Sequence, residues 1–199
     1  GITLAGGTAA YLGVPRVEAR LPSYLNHRLT LVVRSVQDMH VFETALASGE
    51  GPRTGAGLFT ALEDKDFILI FVESYGRSAI EDPRYADITR PRLEKVEAEL
   101  TAAGLASASA WATSPTVGGL SWLAHGTLLS GLWTDSQARY DRLMISRQPS
   151  LNRLFSDAGW KPIAAMPAIT MAWPEAAYYG YRQVLAAADL QYRGKPFNW

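Results

Sequence analysis

Residues 66–73 read Asp-Phe-Ile-Leu-Ile-Phe-Val-Glu, an apolar run enclosed by two acids. No other stretch narrows the accessible folds as much. It is too short for an independent helix and rich in β-branched and aromatic residues, so it predicts a central strand covered on both faces, as in a parallel sheet. The next residues, Ser-Tyr-Gly-Arg-Ser, leave the sheet. Arg90 and Pro91 predict the opening of a helix with Leu93, Val96 and Leu100 on one side and Gly104 as its stop. A second helix is expected from an N-cap at Ser150 through Leu151, Leu154, Phe155 and Ala158 to Gly159, followed by the short apolar segment Lys-Pro-Ile-Ala-Ala-Met-Pro. Strand, helix, helix, strand predicts an α/β fold, a three-layer sandwich with a mainly parallel sheet. In such folds functional groups collect at the C-terminal strand ends, and Glu73 occupies one.

Upstream, Leu25, Leu29, Val32, Val36, Met39 and Leu46 recur at helical spacing, predicting an amphipathic helix over Tyr24–Leu46. Gly49–Gly57 ends it; that stretch has glycines but no Gly-Lys-Ser/Thr ending, and reads as a connector rather than a phosphate-binding loop. The apolar start, from Gly1 to Val14, is shorter than the roughly 20 residues of a membrane span. It reads either as the end of a membrane segment of a longer protein or as a buried strand. Residues 1–60 are therefore expected to form a helical lead-in, juxtamembrane in the first case, and residues 61–199 the domain proper.

Composition removes several functions. Lys plus Arg and Asp plus Glu both number 19, leaving no net charge to gather nucleic acid. Cysteine is absent, which excludes a thiol nucleophile, a thiolate metal site and disulfides.

A carboxylate closing a buried strand needs a positive partner, so Glu73 calls for a metal ion or an arginine, with Arg77 near enough in sequence to compete. The second unusual stretch is Thr113–Gly131, Thr-Ser-Pro-Thr-Val-Gly-Gly-Leu-Ser-Trp-Leu-Ala-His-Gly-Thr-Leu-Leu-Ser-Gly. Gly118 and Gly119 open backbone conformations closed to other residues. Ser121 is placed where a loop becomes a helix, a position that favours an anion near free N–H groups, and that equally suits a plain helix cap. His125 follows one turn later, either facing the same side as Ser121 or packing. Trp173, Tyr178, Tyr179 and Tyr181 form an aromatic cluster suited to core packing or to a sugar or lipid headgroup.

Together these features resemble the alkaline phosphatase and sulfatase superfamily. An apolar strand ending in an acid, roughly 45 to 50 residues before a nucleophile that opens a helix ending in Leu-Leu-Ser/Thr-Gly, is its pattern, and Leu128, Leu129, Ser130 and Gly131 match that ending. Thr116, Gly119 and Ser121 resemble the nucleophile loop of lipoteichoic acid synthases, and Phe-Val-Glu-Ser around Glu73 is similar to their first metal ligand. Pro149–Trp160 resembles the helix in which these enzymes carry Pro-x-Leu-x-x-Leu before an Ala-Gly-aromatic turn.

The resemblance implies a metal-dependent phosphoester or sulfate-ester hydrolase, or a phosphoryl transferase of the phosphoglycerol kind. Ser121 would be the covalent nucleophile, Glu73 and Ser121 would bind a divalent metal (Mn, Zn, Mg or Ca), and Arg77, His125 and Trp173 are candidates for substrate contact. It further implies a small phosphorylated or sulfated substrate, lipid- or glycan-linked, and an extracytoplasmic or periplasmic location with a membrane anchor in the full-length protein. The pattern departs from sulfatases proper: where they carry Cys/Ser-x-Pro-x-Arg, this chain has Ser121, Leu123 and His125, which favours an unmodified serine acting on phosphoesters. Where lipoteichoic acid synthases bracket a tryptophan with histidine and arginine, Trp173 has Met166 or Pro167 and Glu175. The later Asp-His pair of the family has no counterpart, since the histidines are His27, His40 and His125. The chain therefore reads as the N-terminal part of such a catalytic domain, inactive by itself.

Two other functions fit parts of the pattern. Gly119-Leu120-Ser121 is half of the nucleophile elbow of an α/β-hydrolase serine esterase, but Leu123 replaces its second glycine and no histidine follows His125. A non-catalytic binding domain would use Ser121 as a cap and Glu73 in an ion pair.

Overall fold

The computed structural model describes residues 21–49, 51–72 and 76–195. The expectations for residues 1–14 and for Glu73 fall outside them. The chain divides into two compact units, residues 1–44 and 45–199.

Helix α1, Leu21–Ser48, runs through the described part of the first unit and into the start of the second. It covers the stretch where the apolar spacing predicts a helix. Thr30 and Thr44 donate their hydroxyls to carbonyls four residues back, at 2.8 Å each, which settles two β-branched polar residues in a helix interior. Among the described residues no helix is long and apolar enough to cross a membrane.

In the second unit a 3-10 turn, Thr60–Leu62, leads to helices α2, Arg77–Glu81, and α3, Pro83–Ala102. Helix α3 starts earlier than Arg90-Pro91 suggests. Asp82 caps it by accepting the Arg84 N–H at 2.9 Å, and Pro83 takes the first turn, where its missing N–H is harmless. Pro91 then lies inside the helix. Gly104, at φ 76°, stops it where expected.

Helices α4, Ser121–Ser130, α5, Gln137–Met144, and α6, Leu151–Asp157, are followed by strand β1, Ile163–Ala165, helix α7, Ala176–Tyr179, and strand β2, Gln183–Leu185. Their buried residues make the core: Leu123 and Leu129 of α4, Tyr140 and Leu143 of α5, Phe155 of α6, Tyr178 and Tyr179 of α7. Helix α6 follows its sequence signals closely. The buried Ser150 hydroxyl accepts the Arg153 N–H at 3.2 Å and donates to the Tyr179 carbonyl at 2.6 Å, so one side chain caps α6 and ties α7 to it. Arg153 donates in turn to the carbonyls of Tyr178 and Ala177, at 2.9 and 2.7 Å.

The three-layer α/β sandwich with a mainly parallel sheet is not what the chain forms. Seven α-helices dominate the described residues. Their sheet has two strands, β1 and β2, parallel, with Ile163 opposite Gln183 and Ala165 opposite Leu185. The expected central strand at residues 66–72 carries no regular secondary structure. Phe67, Leu69 and Phe71 are 50, 40 and 38% exposed, whereas Ile68, Ile70 and Val72 are 78, 73 and 68% exposed. The physical reason lies in pairing: a strand needs a ladder partner and cover on both faces. Here one side of the run is covered by rings, Phe67 stacking on Phe155 at 5.1 Å, and its backbone makes no hydrogen bond with another described residue. An apolar pattern records a capacity for burial; the neighbours that realise it are tertiary.

Candidate functional site

The loop before α4 is bent by three consecutive residues of positive φ: Gly118 at 64°, Gly119 at 95° and Leu120 at 54°. A Cβ added to either glycine would meet nothing within 4 Å, so the backbone conformation, not crowding, is what calls for glycine there. Leu120 has no such freedom. A left-handed non-glycine residue costs about 1–2 kcal/mol, and the Leu120 side chain is half exposed, so little packing offsets it.

Ser121 is thereby the first residue of α4, and Leu120 occupies the cap position without any side-chain bond to the first-turn N–H groups. The plain-cap reading of Ser121 is therefore not realised. Its half-buried hydroxyl makes no hydrogen bond to another described residue, at the end of a helix where backbone donors and the dipole favour negative charge.

One turn on, the His125 ring stacks at 4.1 Å on Phe71, tilted by 40°. This brings the end of the 66–72 run against α4. Glu73 is two residues beyond Phe71 in sequence, so the run and the serine helix meet through a ring pair that neither motif announced.

Gly126 sets how α4 packs behind this face. A Cβ there would sit 3.2 Å from Tyr140 Cδ2 and 3.5 Å from the Tyr179 hydroxyl, so glycine lets the two tyrosines approach the helix. Tyr179 donates to the Tyr140 hydroxyl at 3.4 Å. Burial raises the phenol pKa values of Tyr140, Tyr178, Tyr179 and Tyr181 above the usual tyrosine value. The Tyr178 hydroxyl is buried without a hydrogen-bond partner.

Trp173 belongs to this packing, its ring 5.6 Å from Tyr179 and 5.7 Å from Tyr181. Arg77 lies elsewhere, on α2, where it pairs with Glu81 and its guanidinium stands 5.5 Å from the centre of the Trp111 ring. The structure thus joins His125 and Ser121 on one helix, links Trp173 to the buried side of that helix through Tyr179, and sets Arg77 against Trp111. No motif gives the side chains of Leu120, Phe71 or Trp111 a role of their own. Only the left-handed turn and the two ring contacts single them out.

Among the described residues no three His, Asp or Glu side chains gather where a metal ion could be held. A catalytic divalent site takes about three protein ligands, so the donors present there do not make one up. No family model matches the chain, and no curated protein or solved structure is found to be similar to it.

Proposed function

We propose that the chain carries the nucleophile half of a site that processes phosphoesters or sulfate esters, with Ser121 as nucleophile and Glu73 as the acid that would hold a divalent cation. The observation that carries this reading is the Ser121 hydroxyl itself: unbonded to other described residues, in the first turn of an uncapped helix, behind the left-handed Leu120. Backbone strain of that kind concentrates at functional sites. The ordered matches around Glu73, Ser121 and Pro149–Trp160 support the same reading from sequence.

In the reaction, Ser121 Oγ bonds to phosphorus or sulfur and the bond to the leaving oxygen breaks. The serine proton ends on that leaving alcohol. The seryl ester then passes to water in a hydrolase or to a lipid or glycan hydroxyl in a transferase. The uncapped N–H groups of α4 favour the anionic oxygens of the group being transferred. His125, a turn away, contacts a substrate oxygen.

The test is turnover of a chromogenic phosphodiester and a chromogenic sulfate ester by the full-length protein. Ser121→Ala lowers it by roughly a thousandfold or more without changing the fold seen by circular dichroism. Activity that survives the substitution moves the nucleophile elsewhere. If the unaltered protein turns over neither ester, the non-catalytic binding domain takes the place of this reading.

A further inference from the structure

The start of α2 and residues 111–114 meet in an open cleft of about 490 Å³, lined by Gly76, Arg77, Ile80, Trp111, Thr113 and Ser114 among others. Its size is that of a small-ligand site. The Arg77 guanidinium has two neighbours: Nε donates to Glu81, and Cζ lies over the Trp111 ring, 5.5 Å from its centroid. Its two terminal nitrogens bond to no described residue. A second guanidinium is tied to the same helix, Arg90 Nε donating at 2.9 Å to the backbone carbonyl of Ile80, a lining residue. Asp82, next to Glu81 in sequence, is taken up by Arg84. Thr113 adds a hydroxyl, and so does Ser114, whose Oγ lies 3.4 Å from Thr116 Oγ1.

A guanidinium engaged at Nε beside an aromatic ring, with its outer fork open, can make two parallel hydrogen bonds to a tetrahedral anion. We propose that this cleft is an oxyanion subsite that seats a phosphoryl or sulfuryl group. The binding of the anion there does not depend on the Ser121 reading.

The test follows the Arg77 Nε–H and Trp111 Nε1–H signals by nitrogen-15 NMR while inorganic phosphate or inorganic sulfate is added, with chloride at matched ionic strength as control. Saturable shifts of both signals with at least one oxyanion are expected. Arg77→Gln weakens binding about tenfold, as loss of a charged bidentate contact requires. Arg90→Gln, far from the indole stack, weakens it less. Trp111→Ala, which frees the guanidinium to turn, gives an intermediate loss. No saturable shift with either anion, or equal affinity in Arg77→Gln, overturns the proposal. Ser121→Ala keeps the wild-type anion affinity; were it also to keep turnover, the nucleophile reading would fall and the anion site would stand.

Discussion

The rings of Phe71 and His125 lie 4.1 Å apart, centroid to centroid. Phe71 ends a run that the sequence marks as a strand, and His125 stands one turn after the first residue of α4. The pair is the contact by which residues 66–72 reach the serine helix.

Truncating it should be felt at both places. Phe71→Ala is expected to lower the unfolding free energy by about 1 kcal/mol, roughly the worth of an aromatic pair and below the cost of truncating a fully buried ring, because Phe71 is partly exposed. It also lowers ester turnover, since His125 loses the surface that fixes its ring. Phe71→Tyr keeps the ring pair and should leave both unchanged in urea unfolding and steady-state assays.

Leu120→Gly removes the strain of a left-handed leucine and adds freedom to the unfolded chain, two effects of opposite sign. The net is a gain of roughly 0.5–1 kcal/mol in stability. Turnover falls, because a glycine no longer pins the start of α4 beneath Ser121. Stability unchanged or lowered in urea titration would show that the leucine is held there by more than its backbone.

Gly126→Ala tests the back of the same helix. Alanine is the better helix former by about 1 kcal/mol, but its Cβ would press on Tyr140 at 3.2 Å, and overpacking of a filled core costs about 1–3 kcal/mol. A net loss of about 1 kcal/mol is expected in thermal or denaturant unfolding. Gly126→Ala combined with Tyr140→Leu relieves the crowding and recovers part of it.

Alkaline pH should unfold the aromatic cluster. Burial holds Tyr178 and Tyr179 neutral in the folded chain, while in the unfolded chain they ionise near the ordinary value of 10.0. The stability supplied by the neutral phenols is fully present below that value and is lost as pH rises above it, because the unfolded state then releases protons first. Each such tyrosine steepens the fall by up to about 1.4 kcal/mol per pH unit. Tyr178→Phe removes one of them together with a buried hydroxyl that has no partner. It should raise stability at neutral pH by about 1 kcal/mol and flatten the alkaline fall, as read by urea midpoints on either side of pH 10.

Local chemistry was legible wherever a few neighbouring residues suffice. Ser150 and Gly159 bracket α6 and Gly104 stops α3, because capping hydroxyls and left-handed glycines act within a turn of the chain. The apolar stripe gives α1, and Lys161–Pro167 contains β1. The start signal that α3 uses is Asp82-Pro83, not Arg90-Pro91, and Pro91 lies inside the helix. The Ser121 junction was visible in the two glycines ahead of it, while the strain at Leu120 was not, since leucine ordinarily avoids that conformation.

By itself, then, the sequence determined helices α1 and α6 and the stop of α3, the absence of thiol chemistry and of a net charge, and the position of Ser121 where a loop turns into a helix. Only the tertiary structure decided that residues 66–72 lie with one side against Phe155 and His125 instead of inside a sheet, that Arg77 turns to Glu81 and Trp111, and that Trp173 packs on tyrosines. The division has one cause. Capping and periodicity are settled within a few residues of chain, whereas strand pairing, ring stacking and ion pairing depend on which distant groups arrive in reach.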